Sequence, residues 1–466
     1  MKLTWIILYS FLGLVLVALV ALTYRLASAI KSEPEGRQKQ AYILGQQITY
    51  AAIVVASMAI ALLSYAAVAG TPWEGHLLEW LNITLRWIHI TFGIAWIGTS
   101  FYFVFLENAL NRTDNLRDEL AGNMWSVHGG GFYYLEKYKV APKVIPKKLH
   151  WFKYEAYFTW LSGFSLLFVV YYFQAKAFLN DPAVRDLTPA QGIFIGVGSL
   201  VVGWLIYDAL CKTRLRKKTV LFALLGFAIS VGFAWFYTQV FAARAAYIHF
   251  GALLGTVMAA NVFFVIIPAQ KAMVAAALAG KPVDPQLGKN AGFRSLHNNY
   301  FTLPVLFVMI SNHFPSTFGH EYAWAVLVAI SLGSAGIKHY LNLREKGEQS
   351  VWVMPVSVLL LLGVAFVTAP EINIAACDTE VSFAEVYPVF QNRCISCHSA
   401  KPADKLWTSP PNGVVYDTPQ DILRMKDKIL QRAIFTETMP PNNQTGMLPE
   451  ERELIRCWIE QGGRLD

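Results

Sequence analysis

Charge is scarce in this sequence. Lys, Arg, Asp and Glu make up 15% of its 466 residues, against about 25% in ordinary soluble domains. Hydrophobic residues make up 55%, and the mean hydropathy is +0.39. That balance excludes both a solvated, disordered chain and an ordinary soluble one. Cysteine is scarce too. The five, Cys211, Cys377, Cys394, Cys397 and Cys457, are too few for a disulfide-stapled scaffold. No two histidines are adjacent and no His-Pro-Glu run occurs, which argues against the binuclear centre of a haem–copper oxidase. A His128-Gly129-Gly130-Gly131 run has no Gly-x-Ser-x-Gly elbow to go with it, so hydrolase chemistry is not indicated. Beside Phe132-Tyr133-Tyr134 it reads as a close backbone approach or a bend.

What the chain has instead is apolar runs long enough to cross a bilayer. They fall near 4–24, 50–69, 84–106, 154–173, 191–211, 219–240, 247–267, 298–314, 322–339 and 352–369. The first lacks a trustworthy small-residue cleavage site and reads as a span rather than a signal peptide. Loops after the odd-numbered windows hold nearly all the Lys and Arg of this region, and those after even-numbered windows hold three. By the positive-inside rule the odd loops are cytoplasmic, and ten spans leave the C-terminal part outside. Residues 371–466 carry 10 basic and 14 acidic residues, net −4, against +12 for the remainder. The overall +8 therefore reports cytoplasmic loops beside membrane lipid, not nucleic-acid binding. Lys137 to Lys153, basic with interleaved aromatics, reads as a juxtamembrane anchor.

Outside the membrane lies the most specific motif, Cys394-Ile395-Ser396-Cys397-His398. A C-x-x-C-H run is a c-type haem attachment site: two thiols bond the porphyrin vinyls and the histidine stands beside the iron. A thioredoxin-like pair or half a zinc site would not need the histidine. Phe383, Val386 and Phe390 mark a short amphipathic helix leading into the motif. Met439, on an irregular loop before Pro440-Pro441, is placed to be the second axial ligand, in competition with Met447 and with Met425, which falls on an expected helix, and a Met/His pair suits electron transfer. A closing helix is expected from Pro449 to Gln461, with acids in its first turn and Gly462-Gly463 after it. Helix, motif, Met loop and closing helix together resemble a class I cytochrome c, with one covalent haem c. The expected organisation is an integral membrane domain over 1–370, a linker over 371–381 and a cytochrome c domain over 382–466. The fold class is all-α, a polytopic helical membrane bundle of about ten spans plus the cytochrome domain. Cys377 and Cys457 could pair or stay apart.

Two polar sets mark the membrane part. Trp87-Ile88-His89 and Tyr247-Ile248-His249 open the third and seventh windows, and each is followed by a Gly-Thr pair. Tyr157-Phe158-Thr159 and Tyr300-Phe301-Thr302 fall in the fourth and eighth. This reads as a weak parallel repeat of windows 3–6 in windows 7–10. Intramembrane ionisable residues are costly and are functional candidates by default. His89, His249 and His313, with Arg86 one turn before His89, lie toward the outer side. Two of these histidines could ligate a haem b with Arg86 on a propionate, or they could hydrogen-bond at helix interfaces. Glu155, His297, Asn298 and Asn299 lie toward the cytoplasmic side and supply a base and amide donors, the inventory of a catalytic pocket.

The segments RWIHITFGIAWIGTSFYFVFLENAL, MWSVHGGGFYYLEKY, AANVFFVIIPAQKAM and HNNYFTLPVLFVMISNHFP, closed by a cytochrome c domain, resemble the membrane-bound urate oxidases (urate hydroxylases) of bacterial purine catabolism. The resemblance implies a multi-pass protein of the bacterial inner membrane with its cytochrome domain in the periplasm. It implies oxidation of urate to 5-hydroxyisourate with oxygen from water. Electrons would leave through haem c to a respiratory-chain acceptor, a cytochrome c or terminal oxidase, without hydrogen peroxide. On it, Cys394, Cys397, His398 and Met439 hold the haem. A membrane-anchored electron-transfer subunit for another dehydrogenase or oxidase is the alternative, and a redox-controlled transporter a third reading. A urate site on the cytoplasmic side would sit roughly 30 Å of hydrocarbon from haem c and require a second centre. A site outside would not.

Overall fold

The computed structural model describes residues 73–466 apart from Lys147, Gln349, 370–376, Asp378, Lys405, Leu406, Thr408 and Asp466, together with scattered positions between 19 and 52. The windows at 4–24 and 50–69 fall almost wholly outside the described residues, as does most of the 371–381 linker.

Helix α1 runs Trp73–Ala109. A hairpin follows, β1 (Leu120–His128) and β2 (Gly131–Tyr138). Helix α2 (Tyr154–Leu166) continues through a π-helical stretch, Leu167–Tyr172. Then come α3 (Pro189–Lys212), α4 (Thr219–Thr238) and α5 (Ala243–Ala260). A second π-helical stretch, Asn261–Ile266, joins α5 to α6 (Ile267–Leu278). The bundle ends with α7 (Pro285–Ser311), α8 (Ala323–Glu345) and α9 (Val353–Val367). The C-terminal part holds α10 (Phe383–Arg393), α11 (Pro419–Arg424) and α12 (Pro449–Glu460).

Among the described residues five helices are long and apolar enough to cross a membrane: Glu74–Ala109, Pro189–Lys212, Thr219–Thr238, Ala243–Leu278 and Ala323–Glu345. The windows at 154–173, 298–314 and 352–369 fall on shorter or more polar helices. By spatial proximity the chain divides into two units, 1–81 with 405–409, and 82–404 with 410–466. In the first, the described positions of 19–52 are helical, with Thr23 and Thr49 hydroxyls bonding back to the carbonyls of Leu19 and Gly45.

The expectation of an all-α chain needs one correction. β1 and β2 pair antiparallel, His128 opposite Gly131, so Gly129 and Gly130 form a two-residue turn. Their φ angles, +57° and +80°, are the left-handed pair that such a turn demands. A Cβ at either would meet nothing within 4 Å. The glycine run is there for a turn and not for a close approach. Trp125 and Tyr134 pack across the strands at 4.8 Å, and Arg117 pairs with Glu136.

Local signals account for several helix ends. Thr188 caps α3: its hydroxyl accepts from Gln191 N at 3.3 Å, its own N–H donates to Gln191 Oε1 at 2.9 Å, and Pro189 follows. Ser382 N donates to Glu385 Oε2 at 2.8 Å ahead of α10, and Leu448 N to Glu451 Oε2 at 2.8 Å ahead of α12. Gly462 and Gly463 end the chain's last helix at φ +108° and +67°.

The second unit has two main apolar cores. One gathers α3, α4, α5, α7 and the π-helical end of α2, with Leu179, Tyr237, Phe241, Tyr247 and Leu327 fully enclosed. Tyr247 anchors it by donating to the carbonyls of Thr317 at 3.0 Å and Ala323 at 2.7 Å. The other core lies wholly within 383–459: Phe390 and Trp458 cross at 6.2 Å, Phe383 and Trp458 at 5.5 Å, with Val386, Ile422 and Ile455 buried among them. Cys377 and Cys457 are joined in a disulfide that closes a separation of 80 residues. For a loop of that length the chain-entropy contribution is about 4 kcal/mol. The double variant Cys377→Ala, Cys457→Ala is therefore expected to lose about that much, read as an earlier loss of Trp458 burial in a denaturant titration. An unchanged midpoint would show that the core alone holds α12.

The C-terminal core sits against one end of the bundle. Asn442 Nδ2 donates to the carbonyls of Ala177 at 3.1 Å and Asn180 at 2.9 Å. Arg432 Nη2 reaches the carbonyl of His313 at 3.5 Å. A Cβ at Gly319 would stand 3.0 Å from the Thr436 carbonyl oxygen.

Candidate functional site

The C-x-x-C-H motif occupies the turn that ends α10. His398 N donates to Cys394 O at 2.9 Å, which holds the motif on one tight loop. The disulfide takes the other two cysteines of this region, Cys377 and Cys457, which leaves Cys394 and Cys397 to the chemistry of the motif. Burial, and then neighbouring Cys397, push the Cys394 thiol up to about 12. A thiol held that far up is a poor partner for disulfide exchange. His398 Nδ1 donates to the carbonyl of Val414 at 3.1 Å. That bond fixes the tautomer and leaves Nε2 with its lone pair, the orientation a metal-bound imidazole needs. Burial also lowers the His398 pKa, which favours the neutral ring that a metal ligand requires. Met439 is pinned on both sides of its peptide: its N–H donates to Arg432 O at 3.0 Å and its carbonyl accepts from Arg452 Nη1 at 3.0 Å. Met425 ends α11, and Met447 is buried in the apolar core. Two thiols, a neutral imidazole with a free Nε2 and a half-buried thioether form a donor set that fits a covalent haem c.

The outer polar residues fall into different environments. Arg86 and His89 line a cavity of about 210 Å³ bounded by α1, α2, α5 and α7. His89 Nδ1 donates to Thr159 O at 2.9 Å, with Ser162 Oγ at 3.2 Å. Gly163 makes the room for it, because a Cβ there would stand 2.7 Å from His89 Cε1. Arg86 Nε donates to Asn82 Oδ1 at 2.6 Å. His249 is completely enclosed, with Phe241 at 4.5 Å and Tyr172 at 5.8 Å between ring centres. Its Nδ1 donates to Ala245 O at 2.8 Å and its Nε2 accepts from Tyr172 OH at 3.0 Å. With both nitrogens engaged, His249 does not fit an iron ligand. His313 lies exposed just past α7. His89 and His249 both turn toward the α2 segment, one to Thr159 and the other to Tyr172.

The inner residues are drawn apart as well. His297, Asn298 and Asn299 are consecutive on α7 and meet three different partners. Tyr207 OH lies 2.7 Å from His297 Nδ1, Asn298 Oδ1 accepts from Asn261 at 2.9 Å, and Asn299 Oδ1 accepts from Asn342 at 2.9 Å. Asn261 also donates to Tyr207 OH at 3.1 Å, which joins His297 and Asn298 in one network. Glu155 belongs to neither group, and its Oε2 is buried without a hydrogen bond. Sequence reasoning missed the charges behind this network. Arg294 is buried, bonded to Asp208 at 2.6 Å and Asn261 at 3.2 Å. Lys338, also wholly buried, lies 3.7 Å from the centre of the Phe101 ring. Lys338 falls inside the 322–339 window, and Arg294 in the basic stretch before the 298–314 window. The signal was in view for Asn261, an amide inside an apolar run, where a π-helical turn opens the backbone.

Against known proteins, a family model described as Urate oxidase N-terminal matches residues 75–369. No curated protein and no solved structure matches the chain.

Proposed function

The chain belongs to the Urate oxidase N-terminal family, and from that premise we propose that it is a membrane-bound urate oxidase whose C-terminal unit is a cytochrome c. The matched segment is the helical part, and the haem motif lies beyond it. In this reading the bundle spans the bacterial inner membrane and residues 382–466 stand on its outer face. Urate and water give 5-hydroxyisourate, two electrons and two protons. A C–O bond forms at the purine, with oxygen from water, and both electrons leave the protein for a respiratory-chain acceptor without forming hydrogen peroxide. Haem c, when bound through Cys394 and Cys397 with His398 and Met439 on its iron, would supply a one-electron acceptor. The chain holds the ligands ready for that role: Val414 O keeps the proton on His398 Nδ1, and Arg432 and Arg452 fix the Met439 peptide.

One observation carries the assignment. The unit with the haem motif is docked on the helical part matched by the family, through Asn442 and Arg432. Urate added without oxygen to purified, oxidised protein is expected to produce the reduced α band of a c-type haem. A band that stays oxidised with urate, yet appears with a chemical reductant, would leave only a membrane-anchored electron-transfer subunit.

A further inference from the structure

We infer that the cavity bounded by α1, α2, α5 and α7 is the urate site, with Arg86 at its rim holding the anion; this rests on the urate-oxidase reading above. At about 210 Å³ it lies below the roughly 300–1,000 Å³ of pockets for drug-sized ligands, a size for one fused bicycle. Its lining matches a planar purine anion. Trp160 and Phe164 stack at 5.1 Å with 10° between planes and present a flat aromatic wall. Asn312 and Tyr171 share a hydrogen bond at 3.3 Å and offer amide and phenol groups for the purine edge. His89 is held through Nδ1, so Nε2 is left as an acceptor, for a ligand N–H or for a proton of the attacking water. Arg86 spends Nε on Asn82, which leaves both terminal nitrogens of its planar fork for an anion.

Charge and position favour this cavity over the inner residues. Arg86 lines the cavity, Arg244 lies in the first turn of α5, which bounds it, and Arg432 of the C-terminal part reaches the carbonyl of His313 just past α7. Among the described residues none of these three arginines has an acidic partner within ion-pair distance. An uncompensated cluster of this kind draws a small anion toward the opening. The same end of the bundle carries Ala177, Asn180 and His313, on which the C-terminal unit is docked. His297 and Asn298, by contrast, are used up on Tyr207 and Asn261. An oxidation there would need a relay that His249, with both nitrogens engaged, does not offer.

Two variants of the full-length protein test the assignment by equilibrium dialysis with labelled urate. Arg86→Gln is expected to weaken binding at least tenfold. Gly255→Leu places apolar atoms in the cavity, because Gly255 lines it and a Cβ there meets nothing within 4 Å. It is expected to abolish binding while the chemically reduced haem spectrum stays that of the parent. Should Arg86→Gln fail to fold, Gly255→Leu decides alone. Unaltered urate binding in Gly255→Leu, with the parent still reduced by urate, overturns the cavity and leaves urate oxidation standing. A parent chain whose haem urate does not reduce overturns the oxidase reading itself.

Discussion

His398→Ala is expected to eliminate urate-dependent reduction of the respiratory acceptor, with loss of at least about a hundredfold in rate, while urate binding is kept. The reason is local. The His398 ring is held by one directional bond, Nδ1 to the Val414 carbonyl, and by Tyr416, whose N–H donates to the His398 carbonyl at 2.8 Å and whose ring lies 5.0 Å away. No other histidine exists in 371–466 to take its place. On the haem c proposal, loss of the imidazole would remove one axial ligand and leave Cys394 and Cys397 to bond the porphyrin, so covalent haem should still be found on a denaturing gel. The two readouts separate the roles: haem stain retained, electron transfer lost. A variant that passes electrons from urate at the parental rate would show that the C-terminal unit is a bystander. Cys397→Ser provides the complementary case, in which the covalent stain itself should weaken.

The elements of the C-terminal part were the most legible in the chain because their signals are short-range. Proline and acids at the start of α12, Ser382 ahead of α10, and the fixed spacing of Cys394, Cys397 and His398 need no knowledge of tertiary contacts. Five of the ten apolar windows, 84–106, 191–211, 219–240, 247–267 and 322–339, were legible for the same reason. The hairpin was missed although its signal was present: two runs with aromatic and β-branched residues flank Gly129-Gly130. The membrane-domain site was legible only as an inventory. Arg86 and His89 share a helix face by spacing, but the partners that give each its meaning, Asn82 for one and Thr159 for the other, depend on how α1 packs. His249 shows the limit most plainly. Its sequence context matches that of His89, yet Phe241, Tyr237 and Tyr172, all distant in the chain or on other turns, enclose it completely. Charge counting failed at Arg294 and Lys338 because a basic residue near the end of an apolar window looks the same whether it points to water or into the bundle.

Arg294 leads to the second large effect, an asymmetry between two partners in one ion pair. Asp208 holds Arg294 on one oxygen at 2.6 Å and Lys212 on the other at 2.5 Å. Arg294 is about 5% exposed at its side chain and Lys212 about 73%. Removing the arginine leaves Asp208 with a solvated counter-charge. Removing the aspartate leaves a buried guanidinium with the Asn261 amide oxygen at 3.2 Å and the rings of Tyr207 and Trp204 at 5.0 and 5.8 Å. Breaking a buried pair in that second way costs about 3–5 kcal/mol because it strands a buried charge, whereas loss of the arginine strands none, Asp208 keeping Lys212. Asp208→Asn is therefore expected to lower the denaturation midpoint of the detergent-solubilised protein far more than Arg294→Met. The damage should spread to Tyr207, His297 and Asn298, which share Asn261 as their hydrogen-bonding hub. Equal costs for the two variants would mean that Arg294 reaches water by another route. A larger cost for Arg294→Met would mean that the guanidinium holds the network through Asn261 more than through its charge on Asp208.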